Sequence, residues 1–346
     1  MKFDGVVGNP PYQIAVQGDN KNYSSPVYHL FLDTAFKIAD KVSLIHPARC
    51  LSNGGDTPDE FNQRLLADKH FKIVHFEKDS KKLFPSSTFE GGVVITLRDA
   101  NQTFEPIGNF IPFDELKTIH DKVVGDENFQ PLSEIIYTPI AHRLSEKFFS
   151  ERPELICKLQ KPNDTALRTN IFERLQEILF DAKPNDGQEY IQILGKVGTA
   201  RIYKWIRREY VNAPDLLDKY KVFVPAANGA SGKLGNEPAR IISKPVIGTP
   251  LVGCTQTFIT VGAFDSEAEA QACIAYIKSK FCRVMLGILK VTQHNPPATW
   301  AKVPLQDFTS AGDIDWHGDI DAQLYNKYKL SESEIKFIEE HVKAMD

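Results

Sequence analysis

Short apolar runs alternate with longer segments of helical periodicity over the first hundred residues. Residues 27–38 carry apolar side chains on one broad face, and residues 59–69 repeat that spacing, which predicts two amphipathic helices. Ser25-Pro26, just before the first of them, is typical of a helix N-terminus. Four apolar runs predict β-strands, at residues 3–7, 42–45, 72–76 and 92–97, and we expect the first to be short and buried. This order of strands and helices favours part of an open α/β sheet.

The pattern becomes less regular after residue 125. Residues 221–224 predict a strand, and one long helix is predicted to begin at Ser266 and to continue to Leu289. Ser266 and Glu269 have the spacing of a capping box, and Ser331 and Glu334 repeat it before a last helix. A chain of 346 residues with such a change of pattern favours two domains.

Composition narrows the class of protein. The hydrophobic share of 42% and the charged share of 25% are ordinary for a folded protein. No apolar stretch approaches the roughly 20 residues that span a bilayer, so we expect no membrane association. The five cysteines form no Cys-x-x-Cys pair, which argues against a disulfide framework or a metal site and favours the cytoplasm.

Charge is unevenly distributed along the chain. The formal net charge is −4, yet residues 151–300 carry 20 Lys and Arg against 15 Asp and Glu. A basic centre between acidic ends is compatible with a polyanionic partner. A solvated surface of mixed charge explains the same numbers about equally well.

The sequence Gly8-Asn9-Pro10-Pro11-Tyr12 directly follows the first predicted strand. Its two prolines stiffen the backbone and remove two N–H donors. The Asn9 amide oxygen and the Pro10 carbonyl can then both accept from one amino group, and the Tyr12 ring offers a flat surface for stacking. The combination suits transfer to an amine on an aromatic ring or to an amide nitrogen.

The chain contains its own comparison for this motif. Asn295-Pro296-Pro297 repeats the tripeptide, but it follows the long predicted helix and has Ala298 in place of the aromatic residue, so we interpret it as a helix stop. The tripeptide alone is therefore a weak indicator, and strand, tripeptide and aromatic together are much more specific. A tight turn with a surface tyrosine is the structural alternative for the first copy.

The first copy resembles the catalytic motif of gamma-type adenine-N6 DNA methyltransferases, which include the fused enzymes of type II restriction-modification systems. Residues 25–31 and 42–49 are similar to the family's next helix and strand, and Leu83-Phe84-Pro85 with Gly91-Gly92-Val93 resembles its later catalytic motifs. Residues 255–258, 266–290 and 300–304 are similar to the recognition domain of the same group.

The resemblance implies methyl transfer from S-adenosyl-L-methionine to an adenine that is flipped out of double-stranded DNA. It implies that Asn9 and Pro10, followed by Pro11, accept hydrogen bonds from the target amine, and that Tyr12 stacks on the flipped base. Phe84 or Phe89 is implied as a second aromatic wall, with a place in the core as the alternative for either residue.

The implied fold class is α/β, with a partial Rossmann-like methyltransferase sheet, its C-terminal half, followed by an α+β target-recognition domain. We place the partial catalytic domain at residues 1–105 and a linker at residues 106–125. The target-recognition domain is placed at residues 126–310, and a C-terminal tail with one helix at residues 311–346.

The cofactor-binding half of the family is the main departure. Its glycine-rich turn normally precedes the motif, and only eight residues precede Asn9 here. Residues 301–346 contain no such turn, and the glycine-rich residues 229–235 lack both a following helix and the Ser or Thr of a P-loop. We therefore expect a split or truncated enzyme that is inactive alone, with a second polypeptide supplying the cofactor-binding half; a degenerate remnant is the alternative.

Basic and aromatic residues interleave at residues 201–210. The functional interpretation assigns DNA phosphate contacts to four of them: Arg201, Lys204, Arg207 and Arg208. The alternative is an ordinary surface strand whose aromatic residues belong to the core.

Two other function classes are compatible with the sequence. One is an enzyme that uses the same motif on cytosine N4 or on a glutamine amide. The other is a non-catalytic DNA-binding or specificity component with an idle motif. The sequence Gly8-Asn9-Pro10-Pro11-Tyr12 fits adenine or glutamine as the methylated target better than cytosine, for which a serine often leads the motif. The basic central segment favours DNA over a protein substrate.

Overall fold

The computed structural model describes residues 2–15, 24–52, 57–86, 89, 91–108, 110–162, 164–213, 216–228, 232, 234–235, 237–290 and 293–345. The chain divides into two compact units, Met1–Lys117 and Thr118–Asp346. This division falls inside the predicted linker, which contains a helix, α3 as numbered below (Asp114–Val124).

Unit 1 is built from a small mixed sheet and two helices. Its elements are β1 (Val6–Gly8), β2 (Gln13–Ala15), β3 (Ser24–Pro26), α1 (Tyr28–Ile38), β4 (Lys41–Pro47), α2 (Asp59–Ala67), β5 (Phe71–Glu77) and β6 (Val93–Asp99). The four predicted strands and two predicted helices are confirmed, with ends that differ by one to three residues. β2 and β3 form a separate antiparallel pair.

The main sheet of unit 1 has the strand order β1-β4-β6-β5. β1 is parallel to β4, and β6 is antiparallel to both β4 and β5, so β1, β4 and β5 all run in the same direction. β1 and β5 are therefore the two edges of the sheet. The coarse α/β class is confirmed by this mixture of sheet and helices.

The apolar faces of α1 and α2 pack with the sheet in one core. Its fully buried members include Tyr28, Leu32, Leu65, Phe71 and Val94. The helix spacing in the sequence identified this face because its buried positions recur every three to four residues.

Two local predictions in unit 1 are wrong. Ser25-Pro26 does not cap α1, because both residues lie in β3; the helix begins at Tyr28 after Val27, whose N–H donates to the Tyr12 carbonyl at 3.0 Å. The first strand is not buried either, since Val7 is 87% exposed at the sheet edge.

Unit 2 contains several small sheets and six further helices after α3 in its described residues. Its strands are β7 (Ile136–Tyr137), β8 (Arg143–Leu144), β9 (Tyr190–Val197), β10 (Ala200–Arg207), β11 (Val211–Asn212), β12 (Tyr220–Pro225), β13 (Val246–Gly248), β14 (Val252–Cys254) and β15 (Phe258–Phe264). Its helices are α4 (Glu146–Glu151), α5 (Ile171–Arg174), α6 (Glu267–Lys278), α7 (Lys280–Leu289), α8 (Ile320–Lys327) and α9 (Glu332–His341).

The strands of unit 2 form a three-stranded sheet of order β10-β9-β14, a four-stranded sheet of order β13-β12-β15-β7, and the pair β11-β8. α6 packs on β12, β13 and β15. α8 and α9, which lie in the predicted C-terminal tail, both pack against α7.

The long helix predicted from Ser266 is two helices. Ser266 does cap the first of them, accepting from the Glu269 N–H, but Ser279 has an extended ψ of 151° and ends α6. The Ser279 side chain then caps α7 by accepting from the Cys282 N–H. The break could not be predicted from the sequence, because the apolar spacing continues across it. A serine that caps the next helix does not interrupt the hydrophobic pattern. The Ser331–Glu334 capping box at α9 is confirmed.

Within the described part of the chain, the helices are too short or too polar to cross a membrane.

His142, just before β8, is a buried histidine that should make unit 2 sensitive to acid. The ring nitrogen Nδ1 lies 3.6 Å from the Cys254 Sγ, and the other ring nitrogen, Nε2, is buried without a hydrogen-bond partner among the described residues. Burial, aided by the nearby Lys221 cation, lowers the pKa of His142 to about 3. An unfolded histidine titrates near pH 6.5, so between pH 6.5 and pH 3 the unfolded chain binds the extra proton.

We therefore predict that this histidine alone removes about 3 kcal/mol of unfolding free energy from unit 2 between pH 7 and pH 4.5. The three tryptophans, Trp205, Trp300 and Trp316, all lie in unit 2. Urea unfolding followed by tryptophan fluorescence therefore measures the unfolding free energy of this unit. His142→Gln should flatten the pH dependence, and His317→Gln, at an exposed position, should not. Equal slopes for the wild type and His142→Gln would contradict the prediction.

Candidate active site

Four chain segments of unit 1 meet at one end of the main sheet. Because β1, β4 and β5 are parallel, their carboxyl ends share that end, and antiparallel β6 begins there. The register places Gly8 beside Leu44 and places Val93 between Pro47 and Glu77. In open α/β sheets ligands bind outside the carboxyl ends of the strands. The candidate motif follows β1 at this end.

Asn9 and Pro10 both reach the surface of unit 1. Asn9 is exposed, and Pro10 is partly exposed. Among the described residues, neither the Asn9 amide nor the Pro10 carbonyl takes part in a hydrogen bond. Two acceptors next to each other on a stiff backbone are thus free to bind one donor group from outside the chain.

Tyr12 is held in place through its main chain. Its carbonyl accepts from the Val27 N–H at 3.0 Å, and the following residues pair as β2 with β3. The backbone after the two prolines is therefore tied to the start of α1. Tyr12 itself is half-buried and packs at the margin of the core of unit 1.

The structure brings Tyr12, Phe84 and Phe89 together. The ring centroids of Tyr12 and Phe89 are 4.7 Å apart, those of Tyr12 and Phe84 are 6.5 Å apart, and those of the two phenylalanines are 6.0 Å apart. All three contacts are edge-to-face, the favoured geometry for aromatic pairs. Both candidates for the second aromatic wall thus lie beside Tyr12, although their part in stacking a base stays a prediction.

Ser80 positions both phenylalanines. This buried residue begins a short 3-10 helix, Ser80–Lys82, after β5. Its carbonyl accepts from the Phe84 N–H at 2.8 Å, and its Oγ accepts from the Phe89 N–H at 2.8 Å. Sequence reasoning missed Ser80, since an isolated serine between charged residues carries no recognisable signal.

Two glycines complete the turn that carries Phe89. Gly91 and Gly92 have φ angles of +86° and +81°, which disfavour any side chain. The Gly92 N–H donates to the Phe89 carbonyl at 3.2 Å, and its carbonyl accepts from the Ala48 N–H at 3.0 Å. The aromatic turn is thus tied to the segment that follows β4.

The tyrosine of the motif is neutral. Burial raises the pKa of Tyr12 to about 12, and its hydroxyl is buried without a hydrogen-bond partner. A neutral phenol suits a stacking surface and is a poor general base near pH 7.

A buried polar layer lies beneath the site. The His46 ring stacks on Tyr28 at 5.7 Å, and its Nε2 lies 3.1 Å from the Thr96 hydroxyl. Burial lowers the pKa of His46 to about 4, so the imidazole is neutral at pH 7. The layer therefore adds no charge beneath the candidate site.

The second Asn-Pro-Pro copy is built differently. Asn295 is buried, its N–H donates to the Ala226 carbonyl at 2.8 Å, and its side-chain amide donates to the Pro225 carbonyl at 3.3 Å. α7 ends earlier, at Leu289. This copy anchors the chain to the end of β12, so the helix-stop interpretation is wrong in detail.

The four basic residues proposed for DNA contact are occupied within the protein. Lys204 pairs with Asp181, Arg207 with Glu151 and Glu209, and Arg208 with both oxygens of Asp218.

The fourth, Arg201, donates to the Lys244 carbonyl at 2.5 Å and lies over the Phe258 ring. Three of the four charges are thus compensated locally, which weakens the case for phosphate contact; the role stays a prediction.

The described residues do not fit S-adenosyl-L-methionine. Among them, no strand lies on the open side of β1. In the glycine-rich segment, Gly229, Ala230, Ser231 and Lys233 lie outside the described residues, and the carbonyl of Gly232 accepts from the buried Lys290 ammonium at 2.6 Å. No cofactor pocket is built from these parts.

Known proteins are similar to the N-terminal part of the chain, which the sequence predicts to be a methyltransferase catalytic domain. Residues 1–84 match the family described as Eco57I restriction-modification methylase. A protein from Mycoplasma pneumoniae described as an uncharacterized adenine-specific methylase is 30% identical over 95 residues, 27% of this chain and 22% of that protein. The predicted resemblance is thereby confirmed for this part of the chain.

A solved structure is also similar, at a low level. The crystal structure of the type IIG restriction endonuclease BpuSI aligns with 94% of this chain and 49% of its own length, at 12% identity and a TM-score of 0.35. The chain therefore spans about a fifth of the curated relative and about half of this structure.

The glycine turn that carries Phe89 gives a testable prediction. A Cβ at Gly92 would lie 2.6 Å from the Glu77 carbonyl oxygen and 2.8 Å from the Phe76 ring. Gly92→Ala should therefore lower the unfolding free energy of unit 1 by about 2–4 kcal/mol, from the strained φ plus the clash. Urea unfolding followed by far-UV circular dichroism measures it.

Gly108→Ala is the matched control. Gly108 also has a positive φ, +59°, but a Cβ there would have no atom within 4 Å, so its cost should be about 1 kcal/mol, from backbone strain alone. Equal costs at the two glycines would show that the close packing of this turn is not what stabilises it.

Proposed function

Residues 1–84 match a restriction-modification methylase family, and from that premise we propose that this chain is the catalytic and recognition part of a DNA adenine-N6 methyltransferase. The observation that carries the proposal is the pair of free acceptors, Asn9 and Pro10, beside the Tyr12, Phe84 and Phe89 rings. The methyl donor would be S-adenosyl-L-methionine, bound by a part that the described residues do not provide.

The two acceptors suit an exocyclic amine. An amino group that donates one hydrogen bond to the Asn9 amide oxygen and one to the Pro10 carbonyl is drawn toward tetrahedral geometry. Its lone pair is then freed from the ring for attack. Because no described residue occupies these oxygens, both are available to the incoming group.

The aromatic cluster suits a base that has left the helix. The amino group of a stacked, paired adenine is out of reach, so the base must be extruded and held by stacking. Tyr12 is attached to the same short segment as the acceptors, which places a ring and two acceptors on one rigid backbone. Stacking of a base on an aromatic side chain is worth about 1–3 kcal/mol.

Unit 2 is proposed to recognise the DNA, with residues 126–310 as the target-recognition domain. We propose that the main sheet of unit 1 is part of a Rossmann-like methyltransferase sheet. The parallel strands β1, β4 and β5 and the site at their carboxyl ends support this interpretation.

We further propose that a second polypeptide supplies the cofactor-binding half and joins the sheet at β1. Val7 is 87% exposed, and Phe3, Leu30 and Phe31 are also exposed apolar side chains on this unit. An uncovered edge strand with apolar side chains is unfavourable in water and a template for strand addition. A strand added beside β1 would bring the cofactor next to Asn9.

The catalytic proposal predicts that Asn9→Ala abolishes methyl transfer without unfolding the protein. The chain would be mixed with the candidate polypeptide encoded beside it, and N6-methyladenine formed in DNA would be quantified by mass spectrometry. Loss of one of two preorganised acceptors should lower the rate by about 10²–10³-fold. The melting temperature should stay unchanged, because Asn9 is exposed and unpaired.

Asn295→Ala is the matched control in the second Asn-Pro-Pro copy. It removes one buried hydrogen bond, from the side-chain amide to the Pro225 carbonyl, so it should lower the melting temperature while the folded protein keeps its methyl-transfer rate. Full activity in Asn9→Ala, or methylation of cytosine or protein in place of adenine, would overturn the proposal.

The docking proposal predicts that Val7→Lys prevents association with the second polypeptide. A lysine at this edge would leave a charge in the new interface, and edge lysines are known to block strand addition. Val74→Lys is the control, because Val74 is 56% exposed on β5, the opposite edge of the same sheet. Association is measured by analytical ultracentrifugation, and loss of binding in both variants or in neither would contradict the assignment of the β1 edge.

A further inference from the structure

Arg49 lies at the same end of the sheet as the candidate motif, in the 3-10 helix Ala48–Ser52 that follows β4. Its neighbour Ala48 donates to the Gly92 carbonyl. The aliphatic part of the Arg49 side chain lies against Gly91, where a Cβ would be 2.9 Å from the Arg49 Cγ. The aliphatic part of the Arg49 side chain thus packs on the turn that carries Phe89.

Among the described residues, no carboxylate pairs with this guanidinium. Arg49 forms no hydrogen bond or salt bridge with them, and its Nε is buried without a described partner. The described ionisable groups that sense its charge are the Tyr28 hydroxyl and the Cys50 thiol. Burial raises the pKa of Cys50 to about 12 and the pKa of Tyr28 above its usual value, so both neighbours are neutral.

Arg49 is unusual in this respect. Arg64 pairs with Asp33, and Arg98 pairs with Asp68, in the same unit. An arginine donor that is taken from water without a partner costs free energy, and such groups occur where a ligand supplies the missing acceptor. A planar guanidinium matches the paired oxygens of a phosphate or a carboxylate.

We propose that Arg49 binds the phosphodiester next to the extruded nucleotide. This inference rests on the proposed function, because the aromatic turn beside Arg49 is the one assigned to the flipped base. A nucleotide turned out of the duplex carries its flanking phosphate with it. A cation fixed to the aromatic turn would hold that phosphate while the rings hold the base.

The test measures the salt dependence of DNA binding by the full chain. The probe is a 24-base-pair duplex with 2-aminopurine opposite an abasic site, where extrusion is easy. Each phosphate contact contributes about 0.9 to the slope of log affinity against log salt. Arg49→Gln should lower that slope by about 1, weaken binding about tenfold at low salt, and reduce the 2-aminopurine fluorescence of the extruded base.

Arg64→Gln makes the same change of charge at a paired surface arginine and should leave the slope unchanged. Arg49→Lys keeps a cation at the site and should restore the slope, which separates lost contact from a folding defect. Equal slopes for Arg49→Gln and Arg64→Gln would overturn the inference. So would an unchanged slope combined with weaker binding of S-adenosylhomocysteine by the assembled complex, since the anion would then be the cofactor carboxylate.

If the proposed function itself is wrong, the experiments give a result that differs from the loss of the phosphate contact alone. If the wild-type chain neither binds the duplex nor changes the 2-aminopurine signal, and Asn9→Ala keeps full activity, the site does not act on an extruded base, and Arg49 loses its assigned ligand as well.

Discussion

The parallel pairing of β1 with β4 is the contact on which the candidate site depends. Three residue pairs hold β1 to the sheet, from Val6 beside Val42 to Gly8 beside Leu44, and the described residues place no strand on its other side. The motif begins where this pairing stops. Its acceptors therefore lie just beyond the end of the paired strand, where no described residue occupies them.

The remaining parts of the site are connected to this strand end mainly through main-chain hydrogen bonds. The Tyr12 carbonyl accepts from the Val27 N–H, the Gly92 carbonyl from the Ala48 N–H, and the Ser80 carbonyl from the Phe84 N–H. Main-chain bonds of this kind fix positions independently of side-chain rotamers. Phe89 is held through a side chain instead, because its N–H donates to the Ser80 Oγ.

The sequence predicted the parts of this framework whose signal is local. Periodicity identified the four strands of the main sheet and the helices α1 and α2 but missed β2 and β3, and the stiff motif after the first strand identified Asn9 through Tyr12. The two phenylalanines could be named but not placed, since their contact with Tyr12 depends on a turn more than 70 residues away. Ser80 and Arg49 could not be identified from the sequence. The role of Ser80 depends on the two phenylalanine N–H groups that it binds, and that of Arg49 depends on its lack of a partner among the described residues. Both are visible only in the three-dimensional structure. In unit 2, the break at Ser279 and most of the short strands were missed, since residues 130–220 form strands of two to eight residues held by distant pairing.

The two Asn-Pro-Pro copies show what decides function among identical residues. At Asn295 the side-chain amide donates to the Pro225 carbonyl and the main-chain N–H donates to the Ala226 carbonyl, and the residue becomes an anchor. At Asn9 no described residue uses the side chain's hydrogen-bonding capacity. The same contrast separates Arg207 and Arg208, whose charges are met by carboxylates, from Arg49, which no carboxylate of the described residues meets. Asn9 and Arg49 both lie at the end of the sheet that carries the aromatic cluster, and we propose that both bind the extruded nucleotide.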